Sequence, residues 1–112
     1  MEQNPKEWIH QVARRIAARV KPRKIILFGS HAYGRPRKDS DLDLLVILPR
    51  RPSDRFKGYQ RVNRAVGEHQ WPLDLLVKGL DEIESRLKIG DSFIIEIMRR
   101  GKVLYAASGR SR

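Results

Sequence analysis

Cysteine is absent from the 112 residues, which removes disulfides, thiolate metal sites and cysteine nucleophiles together and leaves any metal to carboxylates or histidines. Absent too is any run of roughly 18 apolar residues, the length a helix needs to span a bilayer. The opening MEQNPKEWIH is polar and contains acids, unlike a basic-then-apolar leader, so a cytoplasmic address without membrane contact is expected. Histidine is sparse: His10, His31 and His69 stand far apart in the chain and are read as non-ligands. Acidic residues are the minority charge, 13 Asp+Glu against 24 Lys+Arg, for a formal net charge of +11. That excess attracts phosphates, nucleic acid or an acidic protein face without choosing among them, so direct nucleic-acid binding is compatible with it but not required.

The length suits one core and not two. Residues 1–106 are expected to form a single domain and residues 107–112 a flexible tail. Asn4 followed by Pro5 predicts a helix start, and Trp8, Ile9, Val12, Ile16 and Val20 recur at helical spacing until Lys21-Pro22 ends the run. Lys24 to Phe28 reads as a buried strand, broken by Gly29-Ser30 and followed by a loop of basic and small residues. Asp41 to Leu48 reads as a central strand, apolar on both faces beyond its first residues. Pro49 to Pro52 turn the chain, and Ser53 is expected to cap a basic helix over Asp54 to Glu68 with Phe56, Tyr59, Val62, Ala65 and Val66 inward. Leu73 to Val77 reads as a third strand, Asp81 to Leu87 as a helical turn or two, and Asp91 or Ser92 as the cap of a helix with Phe93, Ile94, Ile97 and Met98 on one face. Gly101 stops that helix, and Lys102 to Ala106 is expected to be an edge strand. Helix and strand segments in this order predict an α/β (α+β) fold with a single small mixed sheet flanked by helices.

Asp41 and Asp43 open an otherwise apolar strand, and alternate residues of a strand share a face. Two carboxylates so close repel, and burial raises their pKa values unless a cation lies between them. Magnesium suits such a pair, because it takes carboxylate and water oxygens and completes its shell with substrate phosphates. Asp74 repeats the pattern in a later apolar strand, where an unpaired charge is costly. With the two strands side by side, Asp41, Asp43 and Asp74 would hold two ions about 3.5–4 Å apart, one activating a hydroxyl and the other steadying the leaving group. Gly29-Ser30, with no side chain at the first position and a hydroxyl at the second, makes a cradle for a triphosphate. Arg35, Arg37 and Lys38 lie between the cradle and the carboxylates and are candidates to neutralise phosphate charge. An Asp-x-Asp alone is more often a turn or a solvated strand end. The combination with Gly-Ser ten residues upstream and a third strand-borne aspartate is what points to chemistry.

Gly29 to Val46, GSHAYGRPRKDSDLDLLV, resembles the signature of the DNA polymerase β-like nucleotidyltransferase superfamily: Gly-Ser, a ten-residue gap, then Asp-x-Asp. The later PLDLLV, with Asp74, resembles that superfamily's third-aspartate strand. Within it the chain is similar to the minimal nucleotidyltransferases, MNT-type antitoxins that partner HEPN-domain ribonuclease toxins, down to the closing IIEIMRRGKVLYA. The likeness runs from about Lys24 to Ala106. It implies a nucleotidyltransferase fold and an adenylyltransferase using ATP and magnesium. It further implies Asp41 and Asp43 as metal ligands, Asp74 as third ligand and base, Gly29 and Ser30 on the triphosphate, and a toxin tyrosine hydroxyl as acceptor.

Two other readings stand beside it. One keeps the chemistry but moves the acceptor to a small-molecule hydroxyl, which usually calls for an extra acceptor-binding domain that this length does not supply. The other is a non-enzymatic basic module for RNA or protein, in which the three aspartates would be replaceable.

Overall fold

The computed structural model describes residues 4–34, 36 and 40–108. Among them the elements follow the order α1 (Pro5–Val20), β1 (Lys24–Phe28), α2 (Ser30–Tyr33), β2 (Leu42–Leu48), α3 (Arg55–Val66), β3 (Leu73–Gly79), α4 (Leu80–Lys88), α5 (Ser92–Arg100) and β4 (Lys102–Ala106). The strands form one mixed sheet in the order β3-β2-β1-β4, with β1 antiparallel to both β2 and β4, and β2 parallel to β3. The expected α/β (α+β) arrangement of one small mixed sheet flanked by helices is therefore what the chain adopts. No helix among the described residues is long and apolar enough to cross a membrane.

Both faces of the sheet are covered, and the alternation of β2 shows how. Leu42, Leu44, Val46 and Leu48 pack under α1 and α3, together with Trp8, Ile9, Val12, Ile16 and Val62. Leu45 and Ile47 face the other way, against Ile83 of α4 and Ile94 and Ile97 of α5. A strand buried on both sides needs no polar face, which explains the unbroken LLVIL after the aspartates. The parallel β2–β3 pair requires a crossover, and α3 supplies it.

Helix α1 starts as predicted, with a reciprocal capping box: the Glu7 N–H donates to Asn4 Oδ1 at 2.8 Å and the Asn4 N–H to Glu7 Oε1 at 3.3 Å. Trp8 is fully buried, its ring 5.8 Å from that of half-buried Trp71. Strand β4 lies at one edge of the sheet, as expected, and β3 at the other, and the Ala107 N–H still donates to the Arg23 carbonyl at 2.9 Å. Residues 109–112, most of the expected tail, lie outside the described residues.

Five local expectations change. Gly29-Ser30 leads not into a loop but into the single-turn helix α2, closed by bonds from the Ala32 and Tyr33 N–H groups to the Gly29 carbonyl. Strand β2 begins at Leu42, one residue after Asp41. Asp54, not Ser53, caps α3, its carboxylate accepting from the Lys57 N–H at 3.1 Å. Phe56 and Tyr59 are not inward: they are 69% and 40% exposed, because Gly58, Val62, Ala65 and Val66 set the buried stripe and the two rings fall on its flank. Phe93 likewise stays half outside, edge-on to Phe28 at 5.8 Å.

The junction of β3 and α4 sits hard against the β2–α3 loop: a Cβ on Gly79 would lie 2.0 Å from the Arg51 nitrogen and 2.3 Å from the Arg50 carbonyl carbon. Backbone atoms cannot rotate aside as a side-chain tip can. Gly79→Ala is expected to cost about 1–3 kcal/mol through overpacking. Urea denaturation checks this, and an unchanged midpoint would mean that the loop yields freely.

Candidate active site

The parallel strands β2 and β3 begin at the same end of the sheet, and each carries an aspartate at its second position. Register pairs Asp43 directly with Asp74. Alternation puts Asp43 on the face shared by Leu45 and Ile47, the side of α4 and α5, and Asp41, one residue before the strand, leads into it. On the other flank Asp43 pairs with Phe28, the last residue of β1, so the chain leaves β1 at Gly29-Ser30 right beside the carboxylate. The sheet thus aligns Gly-Ser, Asp43 and Asp74 across β1, β2 and β3 at one end.

Contact between the first two is close enough to dictate residue type. A Cβ on Gly29 would stand 2.1 Å from Asp43 Oδ2 and 3.0 Å from its Cγ, and Gly29 has φ of +76°, where side chains are strained. Ser30, half-buried, opens α2. Two contacts brace this turn: His31 Nε2 lies 3.1 Å from the Ser40 carbonyl, and the Arg100 guanidinium of α5 stacks over the Tyr33 ring at 4.2 Å. Neither was foreseen. His31 contacts a residue nine positions on, across a loop whose path has no periodicity to read.

Burial pushes the Asp43 carboxyl above its ordinary value of 3.8, the charges of Asp74 and then Asp41 push the same way, and His31 opposes them. Asp43 therefore feels the charge of both other aspartates. Among the described residues, however, no three His, Cys, Asp or Glu side chains are gathered into a ready-made metal cage. Magnesium does not need one: it keeps several waters and is commonly held by one or two carboxylates plus substrate phosphates. An arrangement of mutually repelling, partly exposed carboxylates beside a glycine turn fits that ion. Arg35 and Lys38, the candidate phosphate partners, lie outside the described residues, as does Arg37.

Two expectations follow from this geometry. With its pKa raised in the folded state, Asp43 favours folding below its ordinary value of 3.8, and that contribution is lost as pH rises through the raised value. Asp43→Asn, which cannot ionise, should thus melt higher than the parent at pH 7 without divalent ions, the gap closing as pH falls below that window. Added magnesium should raise the parent and not the variant. Melting curves from acid to neutral pH check this, and a gap independent of pH would refute the repulsion. Gly29→Ala should displace the Asp43 side chain and cost about 1–3 kcal/mol, since it combines strain with a collision. Chemical denaturation reads it.

Solved structures share this architecture. A structure described as a nucleotidyltransferase from Sulfolobus solfataricus superposes with a TM-score of 0.64 at 18% identity, covering 89% of this chain and 78% of that one. Two structures of the toxin–antitoxin MntA-HpeT also match. One carries two aspartate-to-glutamate replacements (TM-score 0.58, 16% identity, 87% and 72% coverage) and the other a tyrosine-to-alanine replacement (0.55, 19%, 94% and 75%). At such identities the likeness is one of fold. No curated protein sequence matches the chain. The nucleotidyltransferase domain family matches over residues 9–104, a span that takes in the Gly-Ser turn and all three aspartates, and the chain belongs to that family.

Proposed function

We propose that this nucleotidyltransferase is a magnesium-dependent adenylyltransferase antitoxin that moves AMP from ATP to a tyrosine hydroxyl of a cognate HEPN-type ribonuclease toxin in the cytoplasm, with residues 1–106 as the catalytic unit. The observation that carries the reading is the register of Asp43 on Asp74 with Gly29 packed against Asp43. Asp41, Asp43 and Asp74 would hold the magnesium ions, which when bound offset the carboxylate charge and polarise the phosphates. Gly29, lacking a side chain, lets the Asp43 carboxylate lie against the turn, and the Ser30 N–H and hydroxyl would donate to a phosphate held beside it. Arg35 and Lys38 are assigned to the same triphosphate.

The order of the strands suits in-line displacement. With the triphosphate beside β1 and its α-phosphorus over β2, the acceptor comes from the β3 side, where Asp74 is exposed. The phenolic oxygen bonds to the α-phosphorus, the bond to the bridging oxygen breaks, pyrophosphate departs, and Asp74 takes the phenolic proton. A protein acceptor is favoured because Asp41 and Asp74 are both exposed at an open mouth, and a partner brings the wall a small domain lacks. The fold likeness to a toxin–antitoxin pair supports the same partner class.

Incubating the protein with magnesium, ATP and the product of its neighbouring gene should add one or more AMP masses to that product, and Asp41→Asn should abolish the gain. A partner that binds without gaining mass would leave only inhibition by contact. Ser30→Ala should weaken magnesium-dependent ATP binding by about 1–2 kcal/mol, the worth of one hydrogen bond to a charged acceptor, as measured by titration calorimetry.

A further inference from the structure

At the far end of β2 from the aspartates, the chain turns through Arg50 and Arg51 into α3, and α4 packs beside that turn. Between them opens a cleft of about 650 Å³ lined by Arg50, Arg51, Arg55 and Arg86, with the hydroxyls of Ser53 and Ser85 among them. The two acids that also line it are already engaged. Asp81 accepts from the Arg51 and Glu82 N–H groups at 2.9 Å, and Glu82 accepts from the Gly79 N–H and from Arg55. Burial by itself would raise the Glu82 carboxyl, but Arg55, the Gly79 bond and Lys78 together hold it below its ordinary value. These carboxylates fix the shape of the cleft, while Arg50 is exposed and Arg86, whose Nε lies 3.8 Å from Asp91 Oδ2, still has 58% of its side chain open to solvent.

The aromatic rings misassigned to the core lie next to it. Tyr59 stands four residues after Arg55 and three after Phe56, so it neighbours both on the helix surface, and both rings are exposed. Guanidinium forks suit phosphate oxygens, and exposed rings suit unstacked bases. We infer that the cleft between the β2–α3 turn and α4, with Phe56 and Tyr59 on its α3 flank, binds single-stranded nucleic acid. A duplex has no free base faces to offer these rings, and an acidic protein would use the arginines without them. The inference does not rest on adenylyl transfer, and the cleft shares no residue with the aspartate site.

Fluorescence anisotropy with labelled uridine and thymidine oligomers of about 12 nucleotides tests it. Both should bind, with log K falling against log salt by roughly 0.7 per phosphate contacted. Tighter binding of the uridine oligomer would identify RNA as the ligand, and equal binding would extend the site to either strand chemistry. Arg50→Glu with Arg86→Glu should weaken binding about tenfold or more and flatten the salt slope. Phe56→Ala with Tyr59→Ala, both at exposed positions and so compatible with folding, should weaken it about fivefold or more while leaving the slope unchanged. The inference is overturned if the aromatic variant binds like the parent, or if polyglutamate or a duplex competes as well as the single strands. ATP binding should be unaltered in both variants, which separates failure here from failure of the transfer reading.

Discussion

Repulsion among carboxylates at one end of the sheet is the constraint on which the remaining features hinge. Asp43 is half-buried, flanked by Asp74 across the parallel ladder and by Asp41 two residues back, and backed by Gly29. A fold that only needed to be stable would put apolar residues at these strand starts, since β2 is otherwise buried throughout and β3 is apolar up to Lys78. The parallel pairing of β2 and β3 is what makes the repulsion unavoidable. Strands running the same way bring their first residues together, whereas an antiparallel pair would set one aspartate against the end of its neighbour.

The rest of the domain holds that arrangement still. Residues packed on both faces of β2 and β1 leave the site strands little freedom to slip, and a one-residue slip would turn Asp43 toward α1 and α3. At the Gly29 turn, α2 is a single helical turn and has little stability of its own. It is tied at His31 to the residue before Asp41 and at Tyr33 to Arg100 of α5. The cation–π contact joins α5, whose Ile94 and Ile97 are packed against the sheet, to the single turn of α2 that Ser30 opens.

Much of this was legible before any coordinates. The strands announced themselves by apolar runs, and the aspartates by being charges inside those runs. The Gly-Ser turn was legible as a cradle for a phosphate, whereas the close approach of Asp43, which also demands a glycine there, was not. What sequence periodicity missed has physical reasons. Phe56 and Tyr59 are apolar and helically spaced, but Val62, Ala65 and Val66 define the inward stripe, and Gly58 brings the helix down on Pro52, where a Cβ would stand 2.7 Å from the ring. Asp54 outcompeted Ser53 as cap although both are good cap residues, a choice made by where the chain leaves the proline turn. The arginine cleft could not be read at all, because its walls come from segments some 30 positions apart that meet only through the β2–α3–β3 crossover.

The two ends of β2 therefore have opposite electrostatic character, and the strand between them is apolar on both faces. That separation has a consequence for how a polyanion meets the molecule. The net charge of +11 draws phosphates from a distance, yet within a Debye length of about 8 Å the local charges decide, and at the aspartate end the carboxylates themselves repel an anion. An anion without a divalent ion is thus directed away from the carboxylates and toward the guanidinium end. On the proposed function, one carrying its own divalent ion would meet a ligand set instead of a barrier. The position of charge along a single strand would then distinguish a metal–triphosphate from a bare phosphate chain.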